Sequence, residues 1–300
     1  MNSQGLLAEA SHATSSWATV PASYTAVPAA FQRESQHLLA TVAPFPYVVF
    51  APAVPGLRRK TGEHLLCDLD DKLYVFERAG GQMTMAVYPL ANVCLVEVGH
   101  ILLYSWLTIS GVNAQGQTTS STIPFNTVST SAFMPFVNRV RPFAAVKKDE
   151  DEEKKKFNYL ETLSYKFMNY ARASLAPGEK VIQTIWQPKI RTPLLTLFGR
   201  SLYRTRSLAH LVILTDKELI FIGDDKRLAE TRGERYGGVW QYVPLRWVTS
   251  VSLTEQAGGL LTVSIHLACG GWSLDKLLGP ANACAAAQFQ TALAQLIGSA

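Results

Sequence analysis

One segment of this sequence combines basic and apolar residues in a pattern suited to binding an anionic partner. Residues 187–207 contain five Lys or Arg residues and no Asp or Glu. The bases are Lys189, Arg191, Arg200, Arg204 and Arg206. Guanidinium and ammonium groups pair with carboxylate and phosphate oxygens, so the segment predicts a contact with anions. Its apolar stretch, with Leu194, Leu195 and Phe198, is suited either to packing on a protein or to entering a lipid headgroup layer.

The net charge of the whole chain comes from this segment. It is +5, while the residues up to 146 and the charged run at 147–156 each sum to zero. A weaker basic cluster in the first half consists of Arg58, Arg59 and Lys60. Nucleic-acid-binding surfaces interleave aromatic and basic residues along strands, and the strands predicted here carry few bases. The expected partner is therefore a protein, a second copy of the chain or an anionic membrane surface, and not a nucleic acid.

The sequence has no motif for catalysis or for metal binding. It contains no P-loop, GxGxxG, GxSxG or HExxH pattern. Its six histidines, at positions 12, 37, 64, 100, 210 and 266, lack the spacing of metal ligands. The carboxylate pairs Asp70-Asp71 and Asp224-Asp225 fit a tight turn and a polar loop. We therefore expect a protein that is not an enzyme and that has no cofactor and no metal site.

The cysteines and the N-terminal residues point to a reducing compartment. Cys67, Cys94, Cys269 and Cys284 form no CxxC pair and have apolar neighbours, so we expect reduced core residues. The first twenty residues lack a basic start and a sustained apolar core, and no uninterrupted apolar run is long enough to span a bilayer. The expected location is the cytoplasm, either free or peripheral to the membrane.

The two halves of the sequence repeat each other. A strand–turn–strand pattern at 64–76 recurs at 210–221, with Asp71-Lys72 and Asp216-Lys217 in the matching turns. A Pro-Leu pair follows in each half at the expected start of an alternating strand. The Asp-Lys pairs are 145 residues apart and the Pro-Leu pairs 155, which predicts an insertion of about ten residues at Asp224–Gly238. Later strands are expected at 101–109, 118–125, 260–267 and 271–278, and each half then ends in a helical apolar stripe, at 133–140 and 285–297.

This order of strands resembles the pleckstrin-homology-like (PH-like) fold, in particular the bacterial PH-like domains. The resemblance rests on Leu211–Phe221 with its Thr-Asp-Lys-Glu turn, on the strand Tyr242–Val248 and on the lead-in Leu175–Ile182. It implies small antiparallel barrels, each closed by a C-terminal helix. It also implies that the basic segment lies between the first two strands, where phosphoinositide-binding members carry their bases. Known members mostly bind lipids, peptides or proteins.

The predicted fold class is α+β, mainly β. Four segments are expected: a flexible lead-in at 1–41 with a short helix from Ala30 to about Thr41, a PH-like domain at 42–143, a charged helical linker at 144–175 and a second PH-like domain at 176–300. The linker is predicted as one helix supported by the pairs Glu150/Lys154, Asp151/Lys155 and Glu152/Lys156. The expected function is binding or scaffolding, with the basic and apolar loop of the second domain contacting a protein partner or a second copy. The alternative is a peripheral membrane module that binds anionic headgroups through the same loop.

Overall fold

The computed structural model describes residues 17–54, 61–141, 150–197, 200–225 and 237–298. The described residues form five helices and a larger number of strands, so the predicted α+β, mainly β class is confirmed. It divides into two compact units, Met1–Val140 and Arg141–Ala300. Among the described residues, no helix has both the length and the apolar character needed to cross a membrane.

The first unit contains a helix, seven strands and a closing helix. These are α1 (Ala29–Leu39), β1 (Tyr47–Ala51), β2 (Glu63–Leu69), β3 (Lys72–Ala79), β4 (Gln82–Pro89), β5 (Val93–Ile101), β6 (Tyr104–Val112), β7 (Thr118–Asn126) and α2 (Thr130–Val140). Strands β1 to β4 form one antiparallel meander and β5 to β7 another. Short 3₁₀ turns at Leu90–Asn92 and Thr127–Ser129 connect these parts. The predicted apolar stripe of α2 is confirmed, since Phe133, Phe136, Val137 and Val140 are buried.

Helix α1 packs on the first meander of this unit. Phe31 and Leu39 are fully buried in one cluster with side chains of β1 to β4, among them Cys67 and Phe76. Before the helix, Thr19 exchanges two backbone hydrogen bonds with Phe50 at 2.9 Å. The helix lies where the sequence predicted one. The described part of the predicted flexible lead-in is packed, because its apolar residues complete a core that the sheet alone leaves open.

The second unit has the same elements and, in addition, a short helix at its start and two more strands. They are α3 (Glu150–Lys155), α4 (Tyr165–Ser174), β8 (Val181–Gln187), β9 (Ile190–Leu197), β10 (Arg200–Ser207), β11 (His210–Thr215), β12 (Glu218–Gly223), β13 (Gly237–Pro244), β14 (Val248–Gln256), β15 (Leu260–Leu267), β16 (Ser273–Leu278) and α5 (Ala283–Gly298). Strands β8, β11, β12 and β13 pair in this order, and β14 to β16 form a second meander. Strands β9 and β10 pair with each other. Helix α5 buries Ala286, Phe289 and Leu293 of its predicted stripe.

The repeat extends further than the sequence indicated, because each unit also has a helix before its first strand that packs on its first meander. In the second unit this helix is α4, whose Phe167 ring lies 4.5 Å from the ring of Trp186 on β8. The register corrects the match of the turns. Lys72 pairs with Pro89, and Glu218 pairs with Pro244. Because the two prolines correspond, Lys72 of the first unit is equivalent to Glu218 of the second. The Asp-Lys turns were therefore matched one residue out of register.

Closed barrels are not seen in the described part of the chain. Each unit has separate meanders instead, because Pro89 and Pro244 end strands rather than begin them, and a 3₁₀ turn then redirects the chain. Proline lacks the N–H that would continue the ladder. The predicted strand at 101–109 begins only at Tyr104, because residues 102 and 103 form a turn. Most of the insertion predicted at Asp224–Gly238 lies outside the described residues.

The charged linker is not one continuous helix. Helix α3 is short, and a 3₁₀ turn at Asn158–Leu160 separates it from α4. The predicted Glu150–Lys154 pair forms at 2.6 Å, but the other described pairs of α3 are Glu152–Lys155 and Glu153–Lys156, at i,i+3. Glu153 also accepts a hydrogen bond of 2.6 Å from the backbone N–H of Val181. This bond connects α3 to the start of β8.

Candidate functional site

The predicted basic loop of the second unit is a β-hairpin, formed by β9 and β10. Its residues alternate and include β-branched and aromatic types such as Ile190, Thr192, Tyr203 and Thr205, which favour strands. We call residues 189–207 the basic hairpin. It leaves the sheet between β8 and β11, and among the described residues it pairs with no third strand. At the same place the first unit has the connection between β1 and β2.

Two buried side chains fix the base of the basic hairpin. Gln187 and His210 lie opposite each other at the ends of β8 and β11. The Oε1 atom of Gln187 accepts hydrogen bonds from the backbone N–H of Gly279 at 2.6 Å and from Nδ2 of Asn282 at 2.9 Å. The Nδ1 atom of His210 lies 2.9 Å from the carbonyl oxygen of Leu208. Both ends of the hairpin are therefore attached to the folded unit by side-chain bonds as well as by the chain.

A groove of about 530 Å³ lies beside the base of the basic hairpin. Its charged lining residues are Lys189, Arg206, Asp224, Asp275 and Lys276. Nζ of Lys166 forms an ion pair of 2.7 Å with Asp224, and Nζ of Lys276 donates to Oε1 of Gln241 at 3.1 Å. In the described part of the chain, no ion pair involves Lys189 or Arg206. These two bases are therefore available to an anion in the groove.

His210 lines the same groove but carries no charge at neutral pH. Burial is the main reason that its pKa falls to about 4, and the positive charge of Lys276 also lowers it. The neutral ring donates its Nδ1–H to Leu208, so Nε2 is left as an acceptor, and it is buried without a partner among the described residues. His64, the equivalent residue of the first unit, is also buried, and burial lowers its pKa as well. In the described residues, no cluster of three possible metal ligands includes either histidine.

The structure distributes the predicted basic residues over both faces of the hairpin. Arg191 pairs with Thr205 and Arg204 pairs with Thr192, and paired residues share a face, so Arg191 and Arg204 lie on opposite faces. Both are exposed. A register shift between Thr205 and Ser207 leaves Arg206 outside the pairing. Leu194, Leu195 and Arg200 are strand residues whose side chains are not described, and Phe198, Arg58, Arg59 and Lys60 lie outside the described residues.

Comparison with known proteins adds no further assignment. No protein-family model matches this chain, and no curated protein matches it. The site therefore depends on its own geometry. Sequence reasoning missed Gln187 and Lys276, because their roles depend on the contact of β8 and β12 with residues near 280. The prediction for the cysteines holds for Cys67, Cys94 and Cys269, but Cys284 is exposed, since it lies on the solvent side of the first turn of α5.

A buried charged cluster was also missed by sequence reasoning. The guanidinium of Arg141 binds the carboxylate of Glu218 through Nε at 2.9 Å and donates to the carbonyl oxygen of Ser174 at 2.7 Å. It lies 3.6 Å from Glu179 and 4.0 Å from the ring centre of Tyr242. Burial, and then the charge of Glu218, raises the pKa of Glu179 to about 8. The guanidinium of Arg141 thus lies against the carboxyl groups of Glu218 and Glu179, which is the arrangement of a structural ion pair.

Proposed function

We propose that this chain is a non-enzymatic binding or scaffolding protein built from two PH-like domains, with the basic hairpin as the contact surface for an acidic protein partner. The observation that supports this most directly is the hairpin itself. It has five bases and no acid, and its strands pair only with each other in the described part. A two-stranded hairpin is only marginally stable alone in water, so a partner that covers it would also stabilise it.

The assignment of PH-like domains is supported by the repeated element order. Each unit has four strands, a 3₁₀ turn, three strands, a second 3₁₀ turn and a closing helix. In the second unit the basic hairpin occupies the connection between the first two strands of this order. That is the position the resemblance assigns to ligand contacts, and it supports binding rather than catalysis.

A protein partner is favoured over a membrane because basic side chains lie on both faces of the hairpin. Arg191 and Arg204 lie on opposite faces, whereas a flat lipid surface would meet only one face of the hairpin. Tyr203 is 60% exposed on the same hairpin. Tyr and Arg are the residue types that most often dominate protein–protein interfaces. The expected partner therefore has an acidic surface that encloses the hairpin.

Anionic lipid headgroups are the alternative, and the groove is the observation that favours them. Lys189 and Arg206 both line it, and neither is held by an ion pair among the described residues. A phosphate in the groove would meet both bases. This alternative uses the base of the hairpin, while the protein partner uses its faces, so separate variants can distinguish them.

The test compares three double variants of the full chain, which all remove two charges. R191Q/R204Q changes the faces, K189Q/R206Q changes the groove, and K180Q/R246Q changes exposed bases outside the hairpin. The probes are a glutamate homopolymer and phosphatidylserine vesicles at low salt. We expect R191Q/R204Q to weaken homopolymer binding about tenfold, and K180Q/R246Q to leave it nearly unchanged.

Three results would change the proposal. Equal losses in R191Q/R204Q and K180Q/R246Q would mean that only net charge matters. Binding to phosphatidylserine vesicles alone, with loss in K189Q/R206Q, would replace the protein partner by lipid headgroups. A wild-type oligomer in sedimentation equilibrium that R191Q/R204Q dissociates would identify the partner as a second copy of the chain.

A further inference from the structure

The turn between β5 and β6 exposes two leucines. Leu102 and Leu103 are 73% and 69% exposed, the highest values among the large apolar residues of the described part. Leu102 has a φ of +55°, in the left-handed region. This conformation costs an L-residue free energy, and glycine adopts it easily. Leucine at position 102 therefore costs free energy for two reasons: its strained backbone conformation and the exposure of its apolar side chain to water.

The second unit provides an internal comparison for this turn. The equivalent connection, between β14 and β15, has the residues Ala-Gly-Gly at 257–259, and Gly258 and Gly259 have φ values of +80° and +69°. That copy places glycine where the backbone requires it. The turn does not need leucine, and neither leucine fills a core. Strain of this kind in an exposed segment points to a function of the side chain.

The surroundings of the turn are uncharged. The carbonyl oxygen of Leu103 accepts a hydrogen bond of 3.0 Å from Thr127, next to the exposed Val128. The backbone N–H of Ala18 donates to Oγ of Ser129 at 3.0 Å, which brings the exposed Trp17 to the same end of the unit. No Asp, Glu, Lys or Arg occurs in residues 17–20, 99–105 or 126–129. Burial lowers the pKa of His100, so this neighbour is also neutral at pH 7.

We infer that this leucine turn (Leu102-Leu103) inserts into the boundary between headgroups and acyl chains of a lipid bilayer. Its shape is that of a convex tip with no charge to desolvate. Trp and Tyr favour the membrane–water boundary. Tyr104 directly follows the turn, and the hydrogen bond from Ala18 to Ser129 places Trp17 at the same end of the unit. A stable protein interface uses about 20–30 residues on each side, far more than this tip offers. A bilayer needs no such complementary surface, because any apolar side chain gains by leaving water.

The inference goes beyond the proposed function, because it concerns the first unit and requires no basic residue. The probe is therefore a vesicle of phosphatidylcholine, which has no net charge. We expect the full chain to co-sediment with these vesicles equally at low and high salt. The key variant is L102G/L103G, which replaces both leucines by glycine, the residue found in the equivalent turn of the second unit. We expect it to partition at least about tenfold less.

The design separates binding from folding. L102G/L103G should unfold at about the same temperature as the wild type, because the strain that glycine relieves at φ +55° offsets the entropy cost of the second glycine, at position 103. The matched control is Leu163→Ser, which removes another exposed leucine and should leave partition unchanged. R191Q/R204Q should also partition normally, so failure of the proposed function leaves this inference standing.

Three outcomes would overturn the membrane inference. The first is a wild-type chain that does not bind phosphatidylcholine vesicles. The second is equal binding by the wild type and L102G/L103G. The third is dissociation of a solution oligomer by L102G/L103G, which would make the leucine turn a contact between copies of the chain.

Discussion

Gln187 and His210 lie opposite each other in the register of β8 and β11, at the point where the basic hairpin leaves the sheet. Gln187 is bonded to Gly279 and Asn282, and His210 is bonded to the chain next to it. The direction of the hairpin is therefore set by two buried side chains outside the hairpin. Changes at these positions should affect stability and binding together.

Gln187→Leu should destabilise the second unit. The substitution removes the acceptor of the Gly279 N–H and one of the two acceptors of the Asn282 amide, which also donates to the carbonyl oxygen of Trp186. Both residues are half-buried, and each lost bond costs about 1 kcal/mol. Urea denaturation measures the change. The matched control is Gln183→Leu on the same strand, where a half-buried side chain makes one bond, to Ala285. A loss no larger at Gln187 than at Gln183 would contradict the anchoring role.

His210 should make the protein less stable in acid. Its pKa is about 4 in the folded state against a usual 6.5. A lowered pKa contributes stability above pH 6.5, and this contribution is lost as the pH falls towards 4, with a slope of about 1.4 kcal/mol per pH unit. His210→Asn keeps a donor for Leu208 and should reduce the slope of unfolding free energy against pH. The control is His37→Asn, at an exposed helix position, which should leave this slope unchanged. Equal curves of unfolding free energy against pH for the two variants would refute the role of His210.

Glu179 should have the opposite pH dependence, because its pKa is raised. It is about 8 in the folded state against a usual 4.5, owing first to burial and then to Glu218. Stability from a raised pKa is complete below 4.5 and is lost as the pH rises through 8. The wild type should therefore lose stability between pH 6.5 and 8. Glu179→Gln imitates the protonated acid and should flatten this range; a flat wild-type curve would exclude the effect.

Arg141→Leu should be far more damaging than Arg139→Leu. Removing Arg141 leaves Glu218 buried without its cation, and breaking a buried pair in this way costs about 3–5 kcal/mol. Arg139 pairs with Asp68 and Asp71 at an exposed position, where such bridges contribute about 1 kcal/mol or less. Thermal unfolding of the two variants under identical conditions compares them. Similar shifts in Tm would show that the buried cluster is not held by its charge.

Local patterns in the sequence were sufficient to predict much of the fold. The stripe of Phe133, Phe136 and Val140 predicted α2, and the alternating residues on each side of a polar turn predicted the β2–β3 and β11–β12 pairs. These elements were predictable because a helix or hairpin of this kind is determined by residues close in sequence. The charged linker was predicted less well, because a 3₁₀ turn at Asn158–Leu160 separates its two helices and the charge pattern gives no sign of that turn.

The sequence was sufficient to predict which basic residues belong to the candidate site, but not that they lie on a β-hairpin. Its bases were identified from charge alone, while the alternating β-branched residues among them, which make a hairpin, were overlooked. The leucine turn was read as part of a strand, because an apolar run gives no sign of a positive φ. The cluster of Arg141, Glu179 and Glu218 joins residues far apart in sequence, so only the folded chain shows it.

The break in pairing at the base of the basic hairpin has a mechanical consequence. Residues 188–189 and 208–209 belong to no strand, and Pro188 cannot donate a backbone hydrogen bond. The hairpin and the sheet are thus two separate ladders joined by two short unpaired segments. A pull on the hairpin would act first on these segments and on the bond from His210 to Leu208, before it reached the rest of the β8–β11 ladder.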